Sequence, residues 1–95
     1  TFPAVTRDLA LLVDRTVTAA SVADTIRAAG PDTLESLVLF DVYEGDKIEE
    51  GQRSLAWRLV FRAPDRTLRD ADVEDGLSSI TANLEERFNA RIRSS

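Results

Sequence analysis

"RSLAWRLVFR", residues 53–62, carries the cleanest two-residue alternation in the chain. Leu55, Trp57, Leu59 and Phe61 alternate with Ser54, Ala56, Arg58, Val60 and Arg62. Successive side chains of a strand point to opposite faces, so this stretch is a β-strand with one wholly apolar face and one mixed face. A strand of that kind is buried on one side, as in an antiparallel sheet covered on a single face. Trp57 has apolar neighbours two residues away on both sides, so it belongs to the core face.

The fold follows from what flanks this strand. Residues 44–52 (EGDKIEEGQ) are polar, contain two glycines and form a long hairpin loop. Before them, Leu37 to Tyr43 is a second strand. Farther upstream, Arg7 to Val13 is a strand with Leu9, Leu11 and Val13 on one face and Ala10 and Leu12 on the other. Asp14-Arg15 turns the chain into a helix. Thr18 can cap that helix, with Val17 and Val22 as a hydrophobic staple. Val22, Ile26 and Ala29 keep helical spacing, and Gly30-Pro31 stops it.

Downstream, Ala63-Pro64-Asp65-Arg66 is a turn, and a second helix runs from about Asp70 to Arg87. Val73, Leu77, Ile80, Leu84 and Phe88 make its apolar stripe. Its start is ambiguous. Leu68 and Val73 would staple around an N-cap at Arg69, a poor capping residue, and Asp70 is the better cap chemically. Asn89 to Arg93 is a short closing strand. The order βαββαβ predicts an α+β ferredoxin-like sandwich: a four-stranded antiparallel sheet with two helices on one face.

Ninety-five residues make one domain, 43% hydrophobic, without any run near the ~20 apolar residues of a membrane span. The chain starts at Thr1 and has no methionine, so a domain, residues 1–95, cut from a longer protein is expected. It has no cysteine and no histidine, which removes thiolate nucleophiles, imidazole bases and the usual zinc ligands. Seventeen acids against twelve bases give a net charge of −5, but the distribution matters more than the sum. Asp70, Asp72, Glu74, Asp75, Glu85 and Glu86 lie on the second helix outside its stripe. Arg7, Arg53, Arg58, Arg62, Arg66, Arg91 and Arg93 lie on strands or the turns between them. An acidic domain can therefore present a locally basic sheet.

The helices must cover the more apolar face. That is Leu9, Leu11 and Val13 on the first strand, and Leu55, Trp57, Leu59 and Phe61 on the third. On the second it is Val38, Phe40 and Val42, because the other parity carries Asp41. The open face then holds Ala10, Leu12, Leu37, Leu39, Asp41, Tyr43, Ser54, Ala56, Arg58 and Arg62. A β-bulge would flip part of this assignment. On the residues alone, Asp41 pairing with a strand arginine such as Arg58, and Tyr43 capping the sheet edge, are the plain alternatives to a binding site.

"FPAVTRDLAL" (2–11), "LFDVYEG" (39–45), "RSLAWRLVFRAPDRTL" (53–68) and "LEERFNARIR" (84–93) resemble the ferredoxin-fold anticodon-binding domain. That domain closes the β subunit of bacterial phenylalanyl-tRNA synthetase. The resemblance implies that the open sheet face binds the anticodon stem-loop of tRNA(Phe). The family's motif positions for the first anticodon base, a guanine, fall on Asp41, Tyr43, Ser54 and Ala10. A carboxylate can accept from both donors of guanine's Watson–Crick edge, and a tyrosine ring can stack an unpaired base. Arg7, Arg53, Arg58 and Arg62 are candidates for phosphate neutralisation, which positions RNA without specifying it.

The resemblance further implies a cytoplasmic parent ligase that uses ATP and magnesium outside this domain. It implies an α2β2 assembly with the rest of the β subunit and the α subunit. The domain itself would be non-catalytic, with no cofactor, metal or membrane contact of its own. Where the family often has Thr or Ser before the second helix's first acid, Arg69 stands here. The competing expectation is a ferredoxin-like dimerisation or small-molecule-sensing module that uses the open sheet without RNA.

Overall fold

The computed structural model describes residues 2–94. Its elements are β1 (Val5–Asp14), α1 (Ala19–Ala29), β2 (Leu34–Tyr43), β3 (Gln52–Phe61), α2 (Asp70–Phe88) and β4 (Arg91–Ser94). The sheet order is β2-β3-β1-β4, every neighbouring pair antiparallel. This is the expected ferredoxin-like sandwich. The "RSLAWRLVFR" strand is central, paired to β1 on one side and β2 on the other, while β2 and β4 form the edges.

Local chemistry explains each boundary. Thr18 Oγ1 accepts the backbone N–H of Ser21 at 3.1 Å, and Val22 is fully buried beside half-buried Val17, so cap and staple form as expected. Helix α2 is capped at Arg69. A guanidinium has no acceptor, so the cap works from the other end. The Asp72 carboxylate accepts the Arg69 backbone N–H at 3.1 Å, which holds Asp72 below the usual carboxylate range, while Leu68 and Val73 bury the staple. Asp70 is the first helical residue rather than the cap. Asn89, in the left-handed region at φ 55°, ends the helix, so β4 starts two residues later than the sequence suggested.

The core is one layer between sheet and helices. Leu9, Leu11 and Val13 of β1 and Leu55, Trp57, Leu59 and Phe61 of β3 meet Val22 and Ile26 of α1 and Val73, Leu77, Ile80 and Leu84 of α2. Trp57 is 3% exposed, a core residue as its neighbours indicated. In the hairpin loop Ile48 is buried, its N–H donating to the Gly45 carbonyl at 3.0 Å; the loop is thus folded on itself.

Strand β2 departs from the expected parity. Leu37 faces Leu59, Val38 faces Arg58 and Leu39 faces Trp57; then the register shifts, and Asp41 faces Ala56, Val42 faces Leu55 and Tyr43 faces Ser54. The extra residue is Phe40, a β-bulge. Residues directly opposite in an antiparallel pair share a face. Leu37 and Leu39 therefore lie with the core, partly buried against it. Val38 and Phe40 lie on the open face, 56% and 46% exposed. This reverses the expectation for those four residues. After the bulge the parity returns, so Asp41 and Tyr43 do lie on the open face. Val42 points to the helix side yet is 45% exposed, at the strand end.

Candidate nucleic-acid interface

The open face is a set of cross-strand rows. Tyr43, Ser54, Leu12 and Arg91 make one, and Asp41, Ala56 and Ala10 the next. Val38, Arg58 and Asp8 form a third. Strands are spaced about 4.8 Å apart, so Ala10 lies roughly 10 Å across the sheet from Asp41. The two alanines give a low floor beside the carboxylate.

Asp41 is exposed and takes part in no hydrogen bond or ion pair among the described residues. Its suggested partner is engaged elsewhere. Arg58 donates through Nε and Nη2 to the two Asp8 oxygens, at 2.9 and 3.1 Å. That fork pulls the Asp8 carboxyl below its ordinary range and raises Arg58. Arg58 also lies over the Phe40 ring, 4.7 Å from its centroid.

Tyr43 is 40% exposed, and its ring packs over Gly45. A Cβ on Gly45 would lie 2.5 Å from the Tyr43 hydroxyl and 2.8 Å from Cζ. The last residue of "LFDVYEG" is small because the tyrosine lies on it. Ser54 is only 4% exposed, and its Oγ accepts from Arg93 Nη1 in a long bond of 3.4 Å. Ser54 is thus buried and already engaged by Arg93.

The four arginines expected to meet phosphates divide. Arg7 and Arg53 have the parity of the core residues, facing Leu59 and Val13 respectively. Arg7 Nε is 3.5 Å from Glu74 of α2, and Arg53 Nη2 donates to the Val17 carbonyl at 2.8 Å. Arg53 Nε is buried with no hydrogen-bond partner among the described residues. Both brace the helix layer. Arg62, beyond the end of β3, pairs with Glu35 at 3.2 Å and donates to the Phe2 carbonyl. The sequence reading did not single out Arg91 and Arg93 for phosphate contact. Arg91 faces Leu12, and a register shift between Ile92 and Ser94 carries Arg93 to the Ser54 side. Their presence among the strand-borne bases was the available signal.

Charge is therefore partly layered. The six acids of α2 lie on the helix side with Arg7 and Arg53 behind them, and Arg58, Arg91 and Arg93 lie on the sheet side with Asp8 and Asp41.

A single family description, "Ferredoxin-fold anticodon binding domain", matches residues 1–93. The chain belongs to that family. Relatives come from many bacteria. The phenylalanine–tRNA ligase beta subunit of Moorella thermoacetica is 52% identical over 97% of the domain and 12% of its own length. That of Symbiobacterium thermophilum is 58% identical over 77% of the domain and 8% of its own length, and that of Acinetobacter baylyi 43% over 99% and 12%. The domain thus spans about an eighth or less of the curated relatives it matches. None of its described helices is long and apolar enough to cross a membrane.

Proposed function

We propose that this domain binds the anticodon stem-loop of tRNA(Phe) on its open sheet face, as one domain of the beta subunit of a phenylalanine–tRNA ligase. The observation that carries the reading is Asp41: an exposed, unpaired carboxylate beside a tyrosine ring held on a glycine, over a floor of two alanines. Asp41 accepts from the guanine edge and Tyr43 stacks the base. Ala10 and Ala56 allow close approach, and Ser54 becomes a partner once Arg93 turns to phosphate. Of the arginines, Arg91 and Arg93 fit phosphate contact best, Arg62 sits at the margin, and Arg58 is committed to Asp8. The ligation itself, with ATP and magnesium, belongs to the rest of that subunit and its alpha-subunit partner in the cytoplasm.

The test is a titration of the chain with two short hairpins, one carrying the phenylalanine anticodon and one with its first base changed from guanine to adenine. Salt is varied from about 50 to 200 mM, because phosphate contacts make affinity fall steeply over that range. The guanine hairpin binds more tightly, and Asp41→Ala abolishes the preference. Equal losses on both hairpins would remove Asp41 as the reader. A second reading, self-association through the sheet, is favoured by the exposed Val38, Phe40 and Val42 on edge strand β2. Concentration-dependent mass in gel filtration, with no hairpin binding, would select it.

A further inference from the structure

We propose that Phe40, seated on Arg58, is a second stacking platform, taking an unpaired nucleobase next to the one held by Asp41 and Tyr43. The proposal rests on the anticodon-loop reading above. Phe40 is a large apolar side chain that the fold turns outward: the bulge between Leu39 and Asp41 puts it on the open face, 46% exposed. It is not loose there. The Arg58 guanidinium lies 4.7 Å from the ring centroid, inside the ~6 Å range of a cation–π contact. Asp8 holds that guanidinium with two hydrogen bonds, at 2.9 and 3.1 Å, which favours this position over a phosphate contact. The ring is thus in contact with a guanidinium and still 46% exposed.

Two rings on one face, Phe40 and Tyr43, are three residues apart, about 10 Å on a regular strand and less across a bulge. Stacked nucleotides rise only about 3.4 Å, so two bases on these rings must be splayed. That is the state in which unpaired RNA loops are read. The Phe40 ring has no hydrogen-bonding group and accepts any base, while Asp41 supplies the selectivity. A nucleobase fits better than an apolar protein surface. Arg91 and Arg93 on the same face suit a polyanion. An apolar partner would instead have to desolvate the Arg58–Asp8 pair, whose side chains are 51% and 44% exposed.

The experiment is a double-mutant cycle on the chain and the guanine-first hairpin. Phe40→Ala is crossed with an abasic nucleotide on either side of the first anticodon position, and Tyr43→Ala with an abasic first position. Phe40→Ala is expected to weaken binding about tenfold, and that loss disappears on one of the two flanking abasic hairpins. Phe40→Trp keeps the affinity and Phe40→Leu does not. If the Tyr43 cycle couples while the Phe40 loss persists in full on both flanking hairpins, the platform is refuted and the anticodon reading stands. If the unaltered chain binds no hairpin, both fall. If Phe40→Ala shifts the gel-filtration mass and leaves RNA affinity unchanged, Phe40 serves an interface between copies and the platform is refuted.

Discussion

Replacing Gly45 with alanine separates what holds the fold from what holds the base. The backbone at Gly45 is not in the left-handed region, where only Gly51 lies among the described glycines, at φ 88°. An alanine can therefore adopt the native conformation. Gly→Ala at a compatible site stabilises by roughly 0.4–1 kcal/mol through the unfolded chain. What it cannot do is leave Tyr43 in place. Its Cβ would meet the phenol oxygen at 2.5 Å, Cζ at 2.8 Å and Cε1 at 3.3 Å. Ordinary contact begins near 3.5 Å, so the ring must shift by about 1 Å. The Tyr43 side chain is 40% exposed, so it can shift outward at little cost in folding energy. Stacking on an aromatic ring contributes about 1–3 kcal/mol per base, and a displaced ring forfeits much of it.

The two readouts then move apart. For Gly45→Ala, thermal unfolding followed by circular dichroism stays level or rises by up to roughly 4–8 °C. Affinity for the guanine-first hairpin falls at least fivefold, about 1 kcal/mol. An unchanged affinity would show that the Tyr43 orientation seen here is not the binding one. A melting temperature lowered by more than a few degrees would show that Gly45 is required by the backbone instead.

Gly76 in α2 gives the opposite sign for the same substitution. Alanine there gains about 1 kcal/mol of helix propensity, but its Cβ would lie 2.9 and 3.1 Å from the Pro31 ring, which has no rotamer by which to escape. Overpacking costs about 1–3 kcal/mol, so Gly76→Ala lowers the melting temperature by several degrees, and a rise would refute that close packing. Stability also falls in acid. Asp8, Asp14 and Asp72 are held below the ordinary 3.8 by Arg58, by the Thr16 hydroxyl and by the Arg69 backbone N–H respectively. A depressed carboxyl stabilises the fold above the unfolded value and loses that contribution as pH falls through the folded one. Melting temperature should therefore hold from neutrality to about pH 5 and drop below about pH 4, with no inflection from a histidine, since the chain has none. A drop already between pH 7 and 5 would contradict it.

The element order was legible because β3 alternates cleanly, β1 is a strongly apolar run, and Thr18 and Gly30-Pro31 punctuate α1. The faces of β2 were half legible. Val38, Leu39 and Phe40 are all apolar, so alternation says nothing there. Asp41 alone sets the parity, and sets it correctly for its own side of the bulge. Carrying that parity backward misplaced Leu37, Val38, Leu39 and Phe40. A bulge leaves no periodic trace in a run that short. Arg7 and Arg53 are a different case: the phosphate expectation overlooked their odd-numbered parity, shared with Leu9 and Leu55, which puts them on the helix side. The meeting of Arg93 with Ser54 depends on a register shift between two edge-paired strands, which no single-strand pattern records.

The layering of charge has a kinetic consequence. A molecule with the acids of α2 on its helix side, and Arg91 and Arg93 beside Asp41 and the Arg58–Asp8 pair on its sheet side, would experience a torque in the field of a polyanion. It turns before it touches, with the sheet leading. Such steering raises the productive fraction of encounters without adding a contact, and salt abolishes it within a Debye length of roughly 8–10 Å. On the proposed reading, the acids of α2 would also repel RNA that approached from the helix side.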